Sequence, residues 1–360
     1  RTGMGYIVLT TKHHDGFCLF ETKETEYNTI NTAYGKDPVA LLAEACHKRD
    51  FPLGFYYSCA DWHNPNYPNQ GRHHELEAQP GDDPDLEKYL VFLRAQVREL
   101  CTQYGELGCF WWDMNVDEHV DSSINDTIRE LQPKAVINNR GYDDGDFGTP
   151  ERDHSPDLNQ ALGFERLTEA CQSVGKESWG YREGEDYYTD RHLIRSIDRY
   201  LARDANYLLN VGPRADGSIP LESVAILDRI GAWYGRVRES FEDVAPASDL
   251  TSNREVLLTR RGKELYVHLV NDQITSGVHL TKISERPLSA VLLNTGERVE
   301  TVVDMAPGNH VERDPCLRIK DLPTNKLPNT VLVVKLTFER DVMSFPGGVE
   351  ATGSVDIRQR

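Results

Sequence analysis

The 360-residue sequence predicts an α/β chain in two parts: a (β/α)8-type barrel over residues 1–245 and an all-β sandwich over 246–346, with a flexible tail at 347–360. Three observations predict this. Short β-like runs alternate with helical patterns up to residue 245. The helical patterns then almost vanish. Turn residues break the remainder into short alternating runs.

The β-like runs of the first part are 6–11, 53–58, 109–113 and 135–138, with less distinct ones near 178–181 and 207–211. Between them, Leu86, Leu90, Leu93, Val97 and Leu100 recur at helical spacing, and Val224, Leu227, Ile230 and Tyr234 repeat the stripe. Strand–helix alternation implies a parallel sheet, and this length suits a barrel. A doubly wound open sheet is the rival, and the lack of a Gly-rich dinucleotide loop after the first run lowers it. In the second part Leu265, Val267 and Leu269 alternate as in a half-buried strand, and 331–338 is a second Val- and Leu-rich run.

The net charge of −18 argues against nucleic acid or an anionic membrane surface as partner, since both require a basic footprint. A neutral substrate such as a sugar fits, and so does plain solubility. The seven cysteines are odd in number and none has CxxC spacing, which favours buried free thiols over a disulfide framework or a zinc site. No apolar run reaches the roughly 18 residues of a membrane span. The compartment stays open between cytoplasm, periplasm and secretion, and so does homo-oligomerisation.

Barrel chemistry sits at the C-terminal ends of strands, so the ends of the β-like runs are the candidate site. In 109–113 the two-residue period puts Trp111 and Asp113 on one face, with Asp113 ending an aromatic strand. A loop-capping aspartate is the alternative. Gly54, Tyr56 and Ser58 share a face, as do Val136, Asn138 and Arg140, and an Arg at a barrel mouth requires an acid or a ligand. The first run ends in His13 and His14, which suit polar contacts to a substrate. As strand neighbours they would point opposite ways, which makes metal chelation awkward. His73 and His74 read as a solvated pair. Glu151, in a loop, is a second carboxylate, and 178–181 is an aromatic turn carrying Trp179. Glycoside hydrolysis needs two carboxylates about the scissile bond. Asp113 and Glu151 could supply them, though spacing alone does not show that they meet.

The ordered segments TTKHHDGFCLF (10–20), GFYYS (54–58) with DW (61–62), QVRELCTQYG (96–105), FWWD (110–113), INNR (137–140), DFGTPE (146–151), SWGY (178–181) and NYLLNVGPRADGSIP (206–220) resemble the α-L-fucosidases of glycoside hydrolase family 29. The resemblance spans nearly all of 1–245. It implies a (β/α)8-like barrel with a C-terminal β-sandwich, retaining hydrolysis of terminal α-L-fucose from glycans, and no metal or other cofactor. It maps the nucleophile to Asp113 and the acid/base to Glu151. Glu169 matches the residue considered for acid/base in other members and is otherwise carried as a substrate contact. Sugar contacts map to His13, His14, Tyr56, Trp111, Arg140 and Trp179. Family members begin with a strand bearing G-x-F-x-H-W-G, which does not occur here, so the resemblance implies a barrel incomplete at its N-terminus. A fucose-binding homologue without turnover, and a related glycosidase on another sugar, are the alternative functions.

Overall fold

The structure is a computed structural model and describes residues 2–69, 77, 79–114, 121–152, 163–305, 315–345 and 354–355. His73, His74 and nearly all of the expected tail lie outside the described residues. The chain divides into two compact units, Met4–Thr149 and Pro150–Arg360, the second also taking in the first three residues.

In the first unit, β1 (Ile7–Lys12), β2 (Leu53–Ser58), β3 (Cys109–Asp113) and β4 (Val136–Ile137) form a parallel sheet in sequence order. The connections carry α1 (Pro38–His47), α2 (Leu86–Gln103) and α3 (Ser122–Leu131). Each helix begins at an aspartate, Asp37, Asp85 and Asp121, whose side chain accepts a backbone N–H of the first turn. Strand alternation sorts the aromatic runs. Phe55, Tyr57, Phe110 and Trp112 enter a core with Leu93, Val97, Leu100, Ile124 and Ile128, which turns Tyr56, Ser58, Trp111 and Asp113 to the opposite face. β1 pairs only with β2, so its other edge carries no strand among the described residues.

The second unit opens with parallel strands. β5 (Gly163–Phe164) pairs with a short final strand, β17 (Ser354–Val355), and β6 (Glu169–Ser173) pairs with β7 (Asn206–Asn210). β6 is a correction to the sequence reading, which put a strand near 178–181. All five β6 residues are buried, so no two-residue alternation marked it. The 178–181 stretch is instead turn and coil. α4 (Asp190–Leu201) and α5 (Leu221–Val237) follow. The buried face of α5 is Ser223, Ile226, Ile230, Trp233 and Val237, not the stripe through Val224, which is 37% exposed. Trp233 turns that face inward by donating its indole N–H to Val331 O at 3.1 Å.

Beyond α5 the chain is antiparallel. β8 (Ala245–Pro246), β9 (Leu257–Arg261), β10 (Glu264–Leu269), β12 (Ser289–Leu292), β13 (Glu297–Arg298) and β16 (Leu332–Thr337) make a six-stranded sheet ordered β13-β12-β16-β10-β9-β8. β11 (Val278–Leu280), β14 (Glu300–Asp304) and β15 (Cys316–Lys320) make a three-stranded one. Leu265, Val267 and Leu269 share one core with Leu280, Leu317, Ile319 and Val334 from both sheets. The alternate residues of β10 face helices: Tyr266 packs with Ile194, Ile230 and Trp233. All seven cysteines are buried free thiols, and no described helix is long and apolar enough to cross a membrane.

Candidate active site

At the C-terminal end of β3, Asp113 presents its carboxylate to three side chains of the first unit. Tyr56 Oη donates to Oδ2 at 2.7 Å and Arg140 Nη1 donates to Oδ1 at 3.1 Å. His14 Nε2 stands 3.8 Å from Oδ2. The carboxylate is 16% exposed and its guanidinium partner 14%, so the ion pair sits in a shallow, largely dry recess. Burial, with the neighbouring Asp113 charge and the bond to it, holds the Tyr56 hydroxyl well above its ordinary pKa, so it remains a neutral donor.

Each member of this group is itself fixed. Arg140 gives Nε to Thr149 Oγ1 at 2.8 Å and Nη2 to Thr149 O at 2.9 Å, and its guanidinium lies 4.9 Å from the Trp111 ring. Gly141, next to it, lies against Trp112, where any Cβ would meet Cδ1 at 2.2 Å. Ser58 Oγ donates to Ala60 O at 2.9 Å and therefore accepts from His14 Nδ1 at 2.6 Å, so Nδ1 carries a proton and Nε2 faces Asp113. His13 and His14 follow β1 in a turn and lie with ring centroids 3.9 Å apart. The strand argument that set them on opposite sides does not apply there. His13, exposed, stacks on Tyr56 at 5.7 Å.

Sequence reasoning quoted Asn138 but missed its role. β4 is only two residues long, and the Asn138 side chain continues the ladder in its place. Its Oδ1 accepts from Trp112 N at 2.8 Å, and its Nδ2 donates to Trp112 O at 2.9 Å. This pins the peptide just before Asp113. Trp111 is 4% exposed beneath Arg140 and Tyr56, so it supports these two rather than offering an open ring face.

The second unit holds the other predicted residues. Glu151 forms a parallel bridge with Cys171 of β6, flanked by Cys171 N to Pro150 O at 2.9 Å and Arg152 N to Cys171 O at 3.1 Å. Arg152 then turns with φ 55°, donates to Lys176 O at 2.9 Å and lays its guanidinium 4.4 Å from the Trp179 ring. Trp179 lines an open cleft with Ser173, Tyr181, Glu185 and Asn210, at the C-terminal ends of β6 and β7. Glu169 is the first residue of β6, at the strand end opposite this cleft, and is 5% exposed. Glu151, level with Cys171, is nearer the cleft end of β6, the end where parallel-barrel chemistry is carried out.

The site of the first unit is thus a carboxylate at a parallel strand end, held by Tyr56 and Arg140 with His14 beside it, and strand ends of this kind carry the chemistry of parallel α/β folds. The family model described as Alpha-L-fucosidase matches residues 1–239, and the chain belongs to that family. Among its relatives, an alpha-L-fucosidase of Dictyostelium discoideum is 28% identical over 270 residues, covering 68% of this chain and 54% of its own length. The plasma alpha-L-fucosidase of Rattus norvegicus is 28% identical over 246 residues, covering 64% and 51%. The chain thus spans about half the length of the curated relatives it matches. Among solved structures, alpha-L-fucosidase isoenzyme 1 from Paenibacillus thiaminolyticus is 31% identical with a TM-score of 0.79, covering 94% of this chain and 84% of that one. A fucosidase from Bacteroides thetaiotaomicron is 26% identical with a TM-score of 0.74, covering 93% and 78%. The fold class is accordingly a TIM-like barrel followed by a C-terminal β-sandwich.

Proposed function

We propose that this chain is a retaining exo-glycosidase that removes terminal α-L-fucose from a fucosylated oligosaccharide or glycoconjugate. The observation that carries the reading is the doubly held carboxylate of Asp113 in a member of this family. Tyr56 and Arg140 each occupy one lone pair on a different oxygen, which leaves a lone pair on each for attack. Both bonds orient the carboxylate without protonating it. In the first step an Asp113 oxygen bonds to the anomeric carbon as the glycosidic C–O bond breaks, and Glu151 gives its proton to the departing oxygen. In the second, Glu151 takes a proton from water, the water oxygen bonds to the same carbon, and Asp113 departs. Two inversions give net retention. His14 Nε2, turned to the same recess, suits a sugar hydroxyl, and Trp179 suits an apolar face of the sugar. The bond from Tyr56 to Asp113 makes Tyr56 a positioning residue for the nucleophile.

Proton NMR of the first product formed from an aryl α-L-fucoside tests this reading. Early appearance of α-L-fucose is expected. The β anomer appearing first, or no hydrolysis, would overturn it.

A further inference from the structure

A row of aromatic rings continues outward from His14, and the reaction described above does not use it. His14 meets Trp62 at 5.7 Å between centroids. His63 stacks on Tyr27 at 3.9 Å and 22°, and Tyr27 meets Phe17 edge-on at 5.0 Å. Tyr27 and His63 are exposed, Tyr27 by 38%. These rings come from the connection between β1 and α1 and from the chain after β2, and the two stretches are clamped together. Trp62 N donates to His14 O at 2.7 Å. Gly16 has φ 79° and lies so close to the second loop that a Cβ would meet Asp61 Oδ1 at 2.2 Å and His63 Cβ at 2.9 Å. Asp61 accepts backbone N–H bonds from His63 and Asn64, and is anchored by the wholly buried Lys12 ammonium at 2.8 Å.

We propose that Tyr27, His63 and Trp62 form a second saccharide subsite, which holds the neutral pyranose that bears the fucose. The proposal rests on the fucosidase reading of the Asp113 site and names the surface that adjoins that site through His14. A pyranose has an apolar face and a hydroxyl rim, and rigid, exposed aromatic rings match that face at low entropic cost. Trp62, in ring contact with His14 and followed directly in sequence by His63, joins this row to the surface beside Asp113. The net charge of −18 favours a neutral occupant over an anionic one.

Two substrates separate the subsite from the chemistry: α-L-fucosyl fluoride, whose leaving group has no ring, and a fucosylated N-acetyllactosamine trisaccharide. Tyr27→Ala is expected to lower kcat/KM for the trisaccharide about tenfold more than for the fluoride, mainly through KM, the scale of one lost ring stack. Tyr27→Phe is expected to keep the wild-type ratio. Equal losses on both substrates, or no loss on the trisaccharide, would overturn the subsite. Saturation-transfer NMR with N-acetyllactosamine alone gives a readout that needs no turnover. Transfer to wild type that is lost in Tyr27→Ala supports the subsite, and its absence in wild type refutes it. Failure of wild type to hydrolyse either substrate would instead count against the fucosidase reading.

Discussion

Arg140→Met separates the two partners that define the recess. Met keeps much of the stem but removes the charge, the 3.1 Å bond to Asp113 and the two bonds to Thr149 at 2.8 and 2.9 Å. Among the described residues Asp113 then keeps the Tyr56 donor, in a position 16% exposed. Removing one partner of a well-buried pair costs about 3–5 kcal/mol, and the partial exposure brings the Asp113 share to about 2–3. Losing the Thr149 contacts adds about 1–2 kcal/mol. The expected total of about 3–5 kcal/mol moves the urea midpoint down by roughly 1 M or more. Much of that loss is the uncompensated carboxylate, so Asp113→Asn on the Arg140→Met background should recover part of it. The double-mutant cycle should give a coupling of about 2 kcal/mol. A single-variant loss below about 0.5 kcal/mol, or additivity within that margin, would refute the claim that this pair organises the site.

Three further outcomes are expected. Asn138→Ala leaves the buried Trp112 N–H and C=O without their side-chain partners and should cost about 2–5 kcal/mol in the same urea assay; a loss under 1 kcal/mol would remove its ladder role. Glu151→Ala should slow oligosaccharide hydrolysis by about 10²–10⁴-fold while sparing activated aryl fucosides much more, and Glu169→Ala should show no such dependence on the leaving group; the reverse pattern would exchange the two roles. Burial raises the pKa of Glu264, but bonds from Lys335, Arg261 and Tyr266 outweigh this and bring it from its ordinary 4.5 to about 2. A lowered folded-state pKa stabilises above the unfolded value and is lost as pH falls, so stability should decline between about pH 4.5 and 2, and Glu264→Gln should flatten that limb in an acid titration followed by circular dichroism.

The strands that end at Asp113 and Ser58 could be read from sequence because their aromatic runs are bounded by turns and their alternation has one apolar and one chemical face. The β/α alternation was readable for the same reason. β6 was not, because a strand buried on both faces has no period, and Glu169, Gln172 and Ser173 are polar. The face of α5 was misjudged because two apolar stripes overlap on it. The tertiary bond from Trp233 to Val331 decides between them, and that bond joins residues 98 apart in sequence. The same holds for Asn138. Nothing local distinguishes an Asn that continues a ladder from one that ends a strand. His13 and His14 were set apart by a strand rule that fails one residue beyond the last paired position.

If Asp113 forms the bond to the sugar, trapping the glycosyl-enzyme will place the label there. Incubation with a 2-deoxy-2-fluoro-fucosyl fluoride should stall the second step, and peptide mass mapping should then locate one added 2-fluorofucosyl group. That group is expected on Asp113, with no adduct in Asp113→Asn. An adduct on any other carboxylate, Glu151 and Glu169 included, would contradict it.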